Sequence, residues 1–160
     1  MSIEIETVDR VGVEGDPVRI GQLIANLLDN GSKVFANMPQ TNKIAVIDRK
    51  SHKLLENWDV KGAEQNVPMA LDEPNYRLFV GCRKGAKMLV LDSESGKSIA
   101  VLPGDSNADD MSFDASRKRV YLSGGGGFVY VYQERSPDKY ETLAKWLLPQ
   151  EQKLRCSLQS

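Results

Sequence analysis

Two stretches decide the fold: MALDEPNYRLFVG at residues 69–81 and MSFDASRKRVYLS at residues 111–123. They align without a gap at a period of 42 residues. A second pair, IAVIDRKSHK at residues 44–53 and MLVLDSESGK at residues 88–97, aligns at a period of 44 residues. A period of this length, found twice in one chain, is typical of a repeat architecture.

Each repeat unit is expected to contain four short β-strands separated by turns. In the middle unit the apolar runs lie near residues 67–72, 77–82, 87–92 and 97–102. The segments between them are rich in Asp, Asn, Ser, Pro and Gly, which are the residues that favour turns. A period of about 40 residues with four strands per unit predicts a β-propeller blade. Because a blade with two apolar faces is not stable alone in water, the units are expected to stack on one another.

Two segments carry a resemblance to a known repeat family. The segment KIAVIDRKSHKLLENW at residues 43–58, and the segment from NYRLFVG to FVYVY at residues 75–132, are similar to the YVTN-repeat, YncE-like family of seven-bladed β-propellers. The resemblance covers roughly residues 34–146. It implies a propeller fold and a binding or scaffold protein, usually periplasmic or exported. The opening MSIEIETVDR has no apolar core, so no signal peptide is expected and the localisation stays open.

The stretch GDPVRIGQLIANLLDNGSK at residues 15–33 has a different pattern. An Asp-Pro pair that favours a helix start precedes apolar residues at helical spacing, so a helix is expected over residues 17–30. Gly31 is expected to end this helix in a left-handed conformation. Alternating apolar and polar residues ahead of the helix predict two short strands, which would form a β-hairpin.

The same stretch resembles the N-box region of sensor histidine kinase ATPase domains. The matching pattern is GD-x-x-R-I-x-Q-L-x-x-NLLDN-x-x-K. The resemblance implies that Asn26, Asn30 and Lys33 would lie near Mg²⁺ and the phosphates of ATP. The later Asp-x-Gly-x-Gly segment and the glycine-rich lid of that family have no match in this sequence, so ATP binding is kept as an alternative hypothesis.

The combined pattern predicts a mainly β chain: a partial β-propeller of about three four-stranded antiparallel blades, preceded by a β-hairpin and an amphipathic helix. The expected organisation is a histidine-kinase-like fragment over residues 1–33, a partial propeller over residues 34–146 and an irregular tail over residues 147–160. The first blade is expected to be incomplete, because the predicted helix occupies the place of its innermost strand.

Propeller ligands usually lie on the face formed by the loops between blades and between the second and third strands. That face is expected to carry Arg83, Lys84, Asp109 and Asp110, next to the glycines of SGGGG at residues 123–127. The ligand would be an unidentified small molecule or protein. The simpler interpretation is that these charged side chains are solvated turn residues. Because adjacent side chains in a strand point to opposite faces, the two aspartates are not expected to act together as general acid and base.

Several functional classes are disfavoured by composition. A net charge of −1 and separated basic turns argue against nucleic-acid binding, which needs a contiguous basic stripe. A weak anion or nucleic-acid binder that uses the basic loops is kept as a further alternative hypothesis. One histidine, His52, and two distant cysteines, Cys82 and Cys156, predict no metal site. His52 is expected in a turn and Cys82 in a buried strand. We expect no enzyme activity, no cofactor and no membrane span, and we expect self-association through open blade faces.

Overall fold

The computed structural model describes residues 27–148, which form three four-stranded antiparallel sheets. Blade 1 contains β1 (Leu27–Asn30), β2 (Lys33–Met38), β3 (Lys43–Asp48) and β4 (Leu54–Asp59). Blade 2 contains β5 (Glu64–Asp72), β6 (Arg77–Lys84), β7 (Lys87–Asp92) and β8 (Ser98–Pro103). Blade 3 contains β9 (Ala108–Asp114), β10 (Arg119–Gly124), β11 (Phe128–Ser136) and β12 (Lys139–Leu147).

Within each sheet the strands pair in chain order, as in the blades of a β-propeller. The predicted fold class, a partial propeller built from about three blades, is therefore confirmed. Between residues 27 and 148 there is no helix of a length and apolarity that would cross a bilayer.

The repeat is visible in the turns as well as in the strands. Asp48 Oδ1 accepts hydrogen bonds from the backbone N–H and the hydroxyl of Ser51, both at 2.6 Å. Asp92 Oδ1 does the same with Ser95, at 2.8 and 2.7 Å. The residue that follows has a left-handed backbone in both turns, with φ of 56° at His52 and 69° at Gly96. His52 is therefore a turn residue, as predicted.

Blade 2 forms the centre of the structure because both of its faces are covered. Side chains of alternating sequence position point to opposite sides of a strand, so β6 and β7 contribute to two cores. Leu78, Val80 and Leu89 pack toward blade 1, whereas Phe79 and Val90 pack toward blade 3, and all are at most 2% exposed. Burial of this apolar surface stabilises the stack by about 25 cal/mol per Å².

The predicted helix over residues 17–30 is wrong for its last four residues, which form β1. Residues 17–26 lie outside the described part of the chain. β1 pairs with β2 in register from Leu27 opposite Ala36 to Asn30 opposite Lys33. Gly31 has a φ of 53°, but it serves a two-residue β-hairpin turn rather than a helix end. Blade 1, expected to lack its innermost strand, therefore has a short strand in that place.

Antiparallel pairing gathers alternate connections at the same end of the blades. The turn between β6 and β7, the connection between β8 and β9 and the turn between β10 and β11 all lie at one end, here called the loop face. The turns at 73–76 and 115–118 lie at the opposite end. This arrangement places the ends of β6 and β10 beside the start of β9, where the predicted site residues are found.

Candidate functional site

An ion pair on the loop face joins blade 2 to blade 3. Arg83 lies at the end of β6, and its Nη2 is 2.6 Å from Asp109 Oδ1 at the start of β9. Its Nε donates a second hydrogen bond to the carbonyl of the buried Ala108 at 2.8 Å. Both charged side chains remain partly exposed to solvent, at 36% and 49%. The structure therefore brings together two of the four predicted site residues, and it does so across a blade boundary.

The other two predicted residues are not part of this ion pair. Lys84 follows Arg83 in β6 and points to the opposite side, where its Nζ pairs with Glu64 Oε2 of β5. The Lys84–Glu64 pair lines a depression of about 430 Å³ near the connection between blades 1 and 2. Asp110 Oδ1 accepts the backbone N–H of Met111 at 2.8 Å. The four side chains thus form separate local contacts rather than one cluster.

The glycine run after β10 has a structural explanation. The N–H of Gly125 donates to the carbonyl of Asn107 at 2.8 Å, which ties this turn to the β8–β9 connection. A Cβ on Gly124 would lie 2.5 Å from Asp105 Cγ, and a Cβ on Gly125 would lie 2.5 Å from Asn107 Nδ2. Such separations leave no room for a side chain. The glycines therefore permit two loops to pack closely, and they are followed by a strand, as expected for a connection that is not a phosphate loop.

A groove that the sequence did not predict lies beside this glycine turn. Its volume is about 550 Å³, and its lining includes Asp105, Asn107, Phe128, Tyr130 and Lys145. These five residues come from the β8–β9 connection, β11 and β12, and we call the depression the Lys145 groove. Alternation along β11 could have indicated that Phe128 and Tyr130 share a face. Their meeting with Asp105 depends on how blades 2 and 3 pack, which a single sequence does not show.

The residues that the histidine-kinase resemblance singled out do not form its predicted arrangement. Asn30 lies in strand β1 rather than in a helix, which corrects the prediction, and Asn26 lies outside the described residues. Lys33 Nζ is 2.9 Å from Glu94 Oε2, in the turn after β7 of blade 2. The ammonium of Lys33 thus bridges two blades.

Metal-ligating groups and thiols are further candidate functional residues. Within residues 27–148 no group of three or more His, Cys, Asp or Glu side chains is placed to hold a metal ion. Cys82 is a buried free thiol, as predicted, and burial raises its pKa to about 12. A thiol with so high a pKa carries almost no thiolate at neutral pH, and the thiolate is the nucleophilic form. Cys156 lies outside the described residues.

Comparison with known proteins supports the β-propeller fold and identifies no function. No family model and no curated protein matches the chain. Among solved structures, the chain is similar to hydrazine synthase from Kuenenia stuttgartiensis, with a TM-score of 0.65, 15% identity, and coverage of 84% of this chain and 38% of that one. It is also similar to the Pan2 WD40 domain of Neurospora crassa, with a TM-score of 0.61, 14% identity, and coverage of 78% and 36%.

A third similar structure is a chain of the Mitotic Checkpoint Complex, with a TM-score of 0.61, 14% identity, and coverage of 73% of this chain and 34% of that one. The chain therefore spans less than two-fifths of the length of these three solved chains. At such identities the likeness shows a β-propeller fold, of which this chain forms about three blades.

Proposed function

We propose that this chain is a non-enzymatic binding scaffold built on a partial β-propeller, and that it binds its ligand or protein partner on the loop face. The observation that carries this proposal is the Arg83–Asp109 ion pair, which lies between two blades and remains open to solvent. Loops held by a rigid scaffold are the usual place for binding residues. The two stacked cores on either side of blade 2 supply that rigidity.

The charge pattern of the loop face supports recognition of polar partners. Arg83 and Asp109 form one exposed pair, and Lys84 and Glu64 form another. Exposed ion pairs contribute about 0–1 kcal/mol to stability, so their charges can be redirected to a partner at small cost. A chain within the Mitotic Checkpoint Complex has a similar fold, and this likeness favours a protein partner for the present chain as well.

A fragment screen by nuclear magnetic resonance tests the proposal. The ¹⁵N-labelled chain would be titrated with a set of small polar fragments, and shifted or broadened amide signals would be mapped on the structure. We expect the affected residues to be Arg83, Lys84, Asp109, Asp110 and their neighbours, and the effect to weaken in Arg83→Ala. Arg117→Ala, which removes an exposed ion pair from the opposite end, is the matched control. Signals confined to residues 73–77 and 115–119 would contradict the proposal.

A further inference from the structure

The Lys145 groove is an open depression whose volume is that of a small-ligand site. Its volume of about 550 Å³ falls within the range of roughly 300–1,000 Å³ that ligand pockets usually have. One wall is formed by the rings of Phe128 and Tyr130, which lie on the same face of β11. Lys145 of β12 lies directly opposite Tyr130 in the strand register. A second wall is formed by the β8–β9 connection, which includes Asp105.

Lys145 holds a positive charge at this groove without a carboxylate partner. Its Nζ lies 4.2 Å from the centroid of the Phe128 ring and 4.8 Å from that of Tyr130. The negative faces of the two rings attract the ammonium and limit the positions that it takes. Among the described residues no Asp or Glu forms an ion pair with Lys145, whereas Lys33 and Lys84 are both paired. The charge of Lys145 is therefore available to an anion that enters the groove.

Asp105 adds an anionic acceptor to the second wall of the same groove. Its side chain is almost completely buried, with 6% of the residue exposed. Asp105 Oδ1 accepts the backbone N–H of Asn107 at 2.7 Å, and the backbone of Gly124 lies against the carboxylate. These contacts hold the carboxylate in place, in the way that binding sites usually position their few polar groups. A ligand that contacts both walls therefore meets a fixed negative charge and an unpaired positive charge.

We propose that the Lys145 groove binds a small zwitterion that carries one carboxylate and one ammonium group. The carboxylate of the ligand contacts the Lys145 ammonium, and the ammonium of the ligand contacts the Asp105 carboxylate. The edges of the Phe128 and Tyr130 rings receive the methylene groups between the two charges. The groove lies on the same loop face as the Arg83–Asp109 pair but is lined by other residues, so binding at the two places can be distinguished.

The test compares probes that differ by one charge. 4-Aminobutyrate carries both charges, butyrate lacks the ammonium and butylamine lacks the carboxylate, while alanine and β-alanine bring the two charges closer together. Binding would be followed by chemical shifts of Asn107, Phe128 and Lys145 in the ¹⁵N-labelled chain. We expect at least one of the three zwitterions to bind at least tenfold more tightly than butyrate and butylamine, with shifts confined to the groove.

Substitutions assign that binding to the two charged walls. Lys145→Met should weaken binding of the zwitterion at least tenfold, and Asp105→Asn should do the same while retaining the shape of the carboxyl group. Lys139→Met, which removes an exposed lysine from the other end of β12, should leave binding unchanged. Equal affinity for zwitterion and butyrate, or unchanged affinity in Lys145→Met, would overturn the proposal. Shifts at Arg83 and Asp109 alone would also overturn it, while leaving the proposed function of the loop face intact.

Discussion

Gly96 shows at the scale of a single residue how closely blades 1 and 2 approach each other. It lies in the turn between β7 and β8, and the indole ring of Trp58 from β4 packs against it. A Cβ added to Gly96 would lie 2.4 Å from Trp58 Cδ2, and the backbone φ of 69° disfavours any side chain. The equivalent turn in blade 1 has His52, so the glycine is required by the neighbouring blade as well as by the turn.

Gly96→Ala should therefore lower the free energy of unfolding by about 2–4 kcal/mol, because it combines a strained backbone with an overpacked contact. Urea denaturation followed by tryptophan fluorescence would measure the loss. Gly126→Ala is a suitable control, since Gly126 has an ordinary φ and its nearest neighbour is the Phe128 ring at 3.5 Å. If both variants were equally stable, the Trp58 ring would have to move freely, contrary to its burial.

Glu134 is a buried carboxylate that lacks a hydrogen-bond partner. It is 2% exposed, and neither carboxylate oxygen has a partner in the described structure. The charged groups that face it are Asp72 of β5, Arg77 of β6 and Lys118 of the turn before β10, and Tyr140 of β12 also lies nearby. Burial, and then the charge of Asp72, raise the pKa of Glu134 above its ordinary value.

The raised pKa of Glu134 makes the free energy of unfolding depend on pH. With a raised pKa in the folded state, the stabilisation from the bound proton is fully present below the ordinary pKa of about 4.5 and is lost as pH rises through the folded value. Glu134→Gln should therefore be more stable than the parent at pH 7, by roughly 1 kcal/mol, because a buried charge without a partner costs more than a neutral group. The difference should disappear at low pH.

Denaturant unfolding between pH 3 and pH 8 would measure this effect. Glu141→Gln is the control with the opposite sign, because the hydrogen bond from Arg135 lowers the pKa of Glu141. Its carboxylate adds stability above the ordinary pKa, so its neutralisation should slightly destabilise the chain at pH 7. A Glu134→Gln variant that is less stable at pH 7 than the parent would show that the charged form is favoured in the fold.

Some of these residue roles follow from the sequence and others do not. The repeated Asp48 and Asp92, each followed by Ser and a turn, could be predicted because a turn depends on neighbouring residues. The burial of Glu134 could not, because it results from the packing of blade 3 on blade 2. The Arg83–Asp109 pair could be predicted in part. The repeat predicted that the loops carrying Arg83 and Asp109 lie close together, but it did not predict that Lys84 and Asp110 make separate contacts.

Among the secondary-structure elements, β1 shows that the spacing of apolar residues does not predict helix or strand reliably over a short segment. Leu27 and Leu28 continue the helical spacing that begins before them, and a helical period cannot be distinguished from a strand over four residues. Pairing with β2 decides the outcome, since it supplies backbone hydrogen bonds along the whole segment. The long strands of blade 2 could be predicted because each of their sequence patterns recurs in a neighbouring repeat unit.

Arg77 of blade 2 binds the turn between β11 and β12 of blade 3. Its Nε donates to the carbonyl of Pro137 at 2.7 Å, and its Nη2 pairs with Asp138 in the turn between β11 and β12 at 2.5 Å. A third contact, from Nη1 to Asp92 Oδ2 at 3.2 Å, holds the guanidinium within blade 2. The equivalent Arg119 of blade 3 instead donates to Gln133 of its own blade. Arg77 therefore stabilises an interface between blades rather than a single blade.

We expect Arg77→Met to lower the free energy of unfolding by about 2 kcal/mol, because two hydrogen bonds to blade 3 and a largely buried charge pair are lost. Hydrogen exchange should show faster opening of β11 and β12 than of blade 1. Arg117→Ala removes an exposed ion pair within one turn and should change stability by no more than about 0.5 kcal/mol. Uniform loss of protection in all three blades would argue against a role for Arg77 at this interface.

For the molecule as a whole, the end of the kinase-like stretch is part of the propeller: residues 27–30, predicted to be helical, form a strand of blade 1. Lys33 is paired with Glu94, and Asn30 lies in β1. We therefore expect no ATP hydrolysis and a Mg-ATP affinity no tighter than about millimolar, which corresponds to roughly 4 kcal/mol of binding free energy. Isothermal titration would test this expectation. Micromolar binding that is lost in Asn30→Ala would instead support the ATP-binding alternative.

The stack of three blades also exposes apolar side chains on β12, the last strand of blade 3. In β12, Leu143, Trp146 and Leu147 are 45%, 57% and 66% exposed. β12 is the last strand of its sheet, so one of its edges has backbone N–H and C=O groups without a strand partner among residues 27–148. An exposed strand edge with apolar side chains is a template for pairing with another chain. Neighbouring blades cover both faces of blade 2, whereas the outer face of blade 3 has no neighbouring blade among residues 27–148.

These features predict that the chain self-associates at micromolar concentration, with β12 in the contact. Each 100 Å² of apolar surface removed from water contributes about 2.5 kcal/mol, and this gain acts against the cost of association, which is about 4–15 kcal/mol. Light scattering should therefore show a mass above that of the monomer. The double variant Trp146→Ser, Leu147→Lys should shift it toward the monomer, because it removes apolar area and places a charge at the edge. Leu55→Ser, which removes an exposed apolar side chain from β4 of blade 1, should leave the mass unchanged. A cooperatively melting monomer of the parent chain would show that other parts of the protein shield this surface.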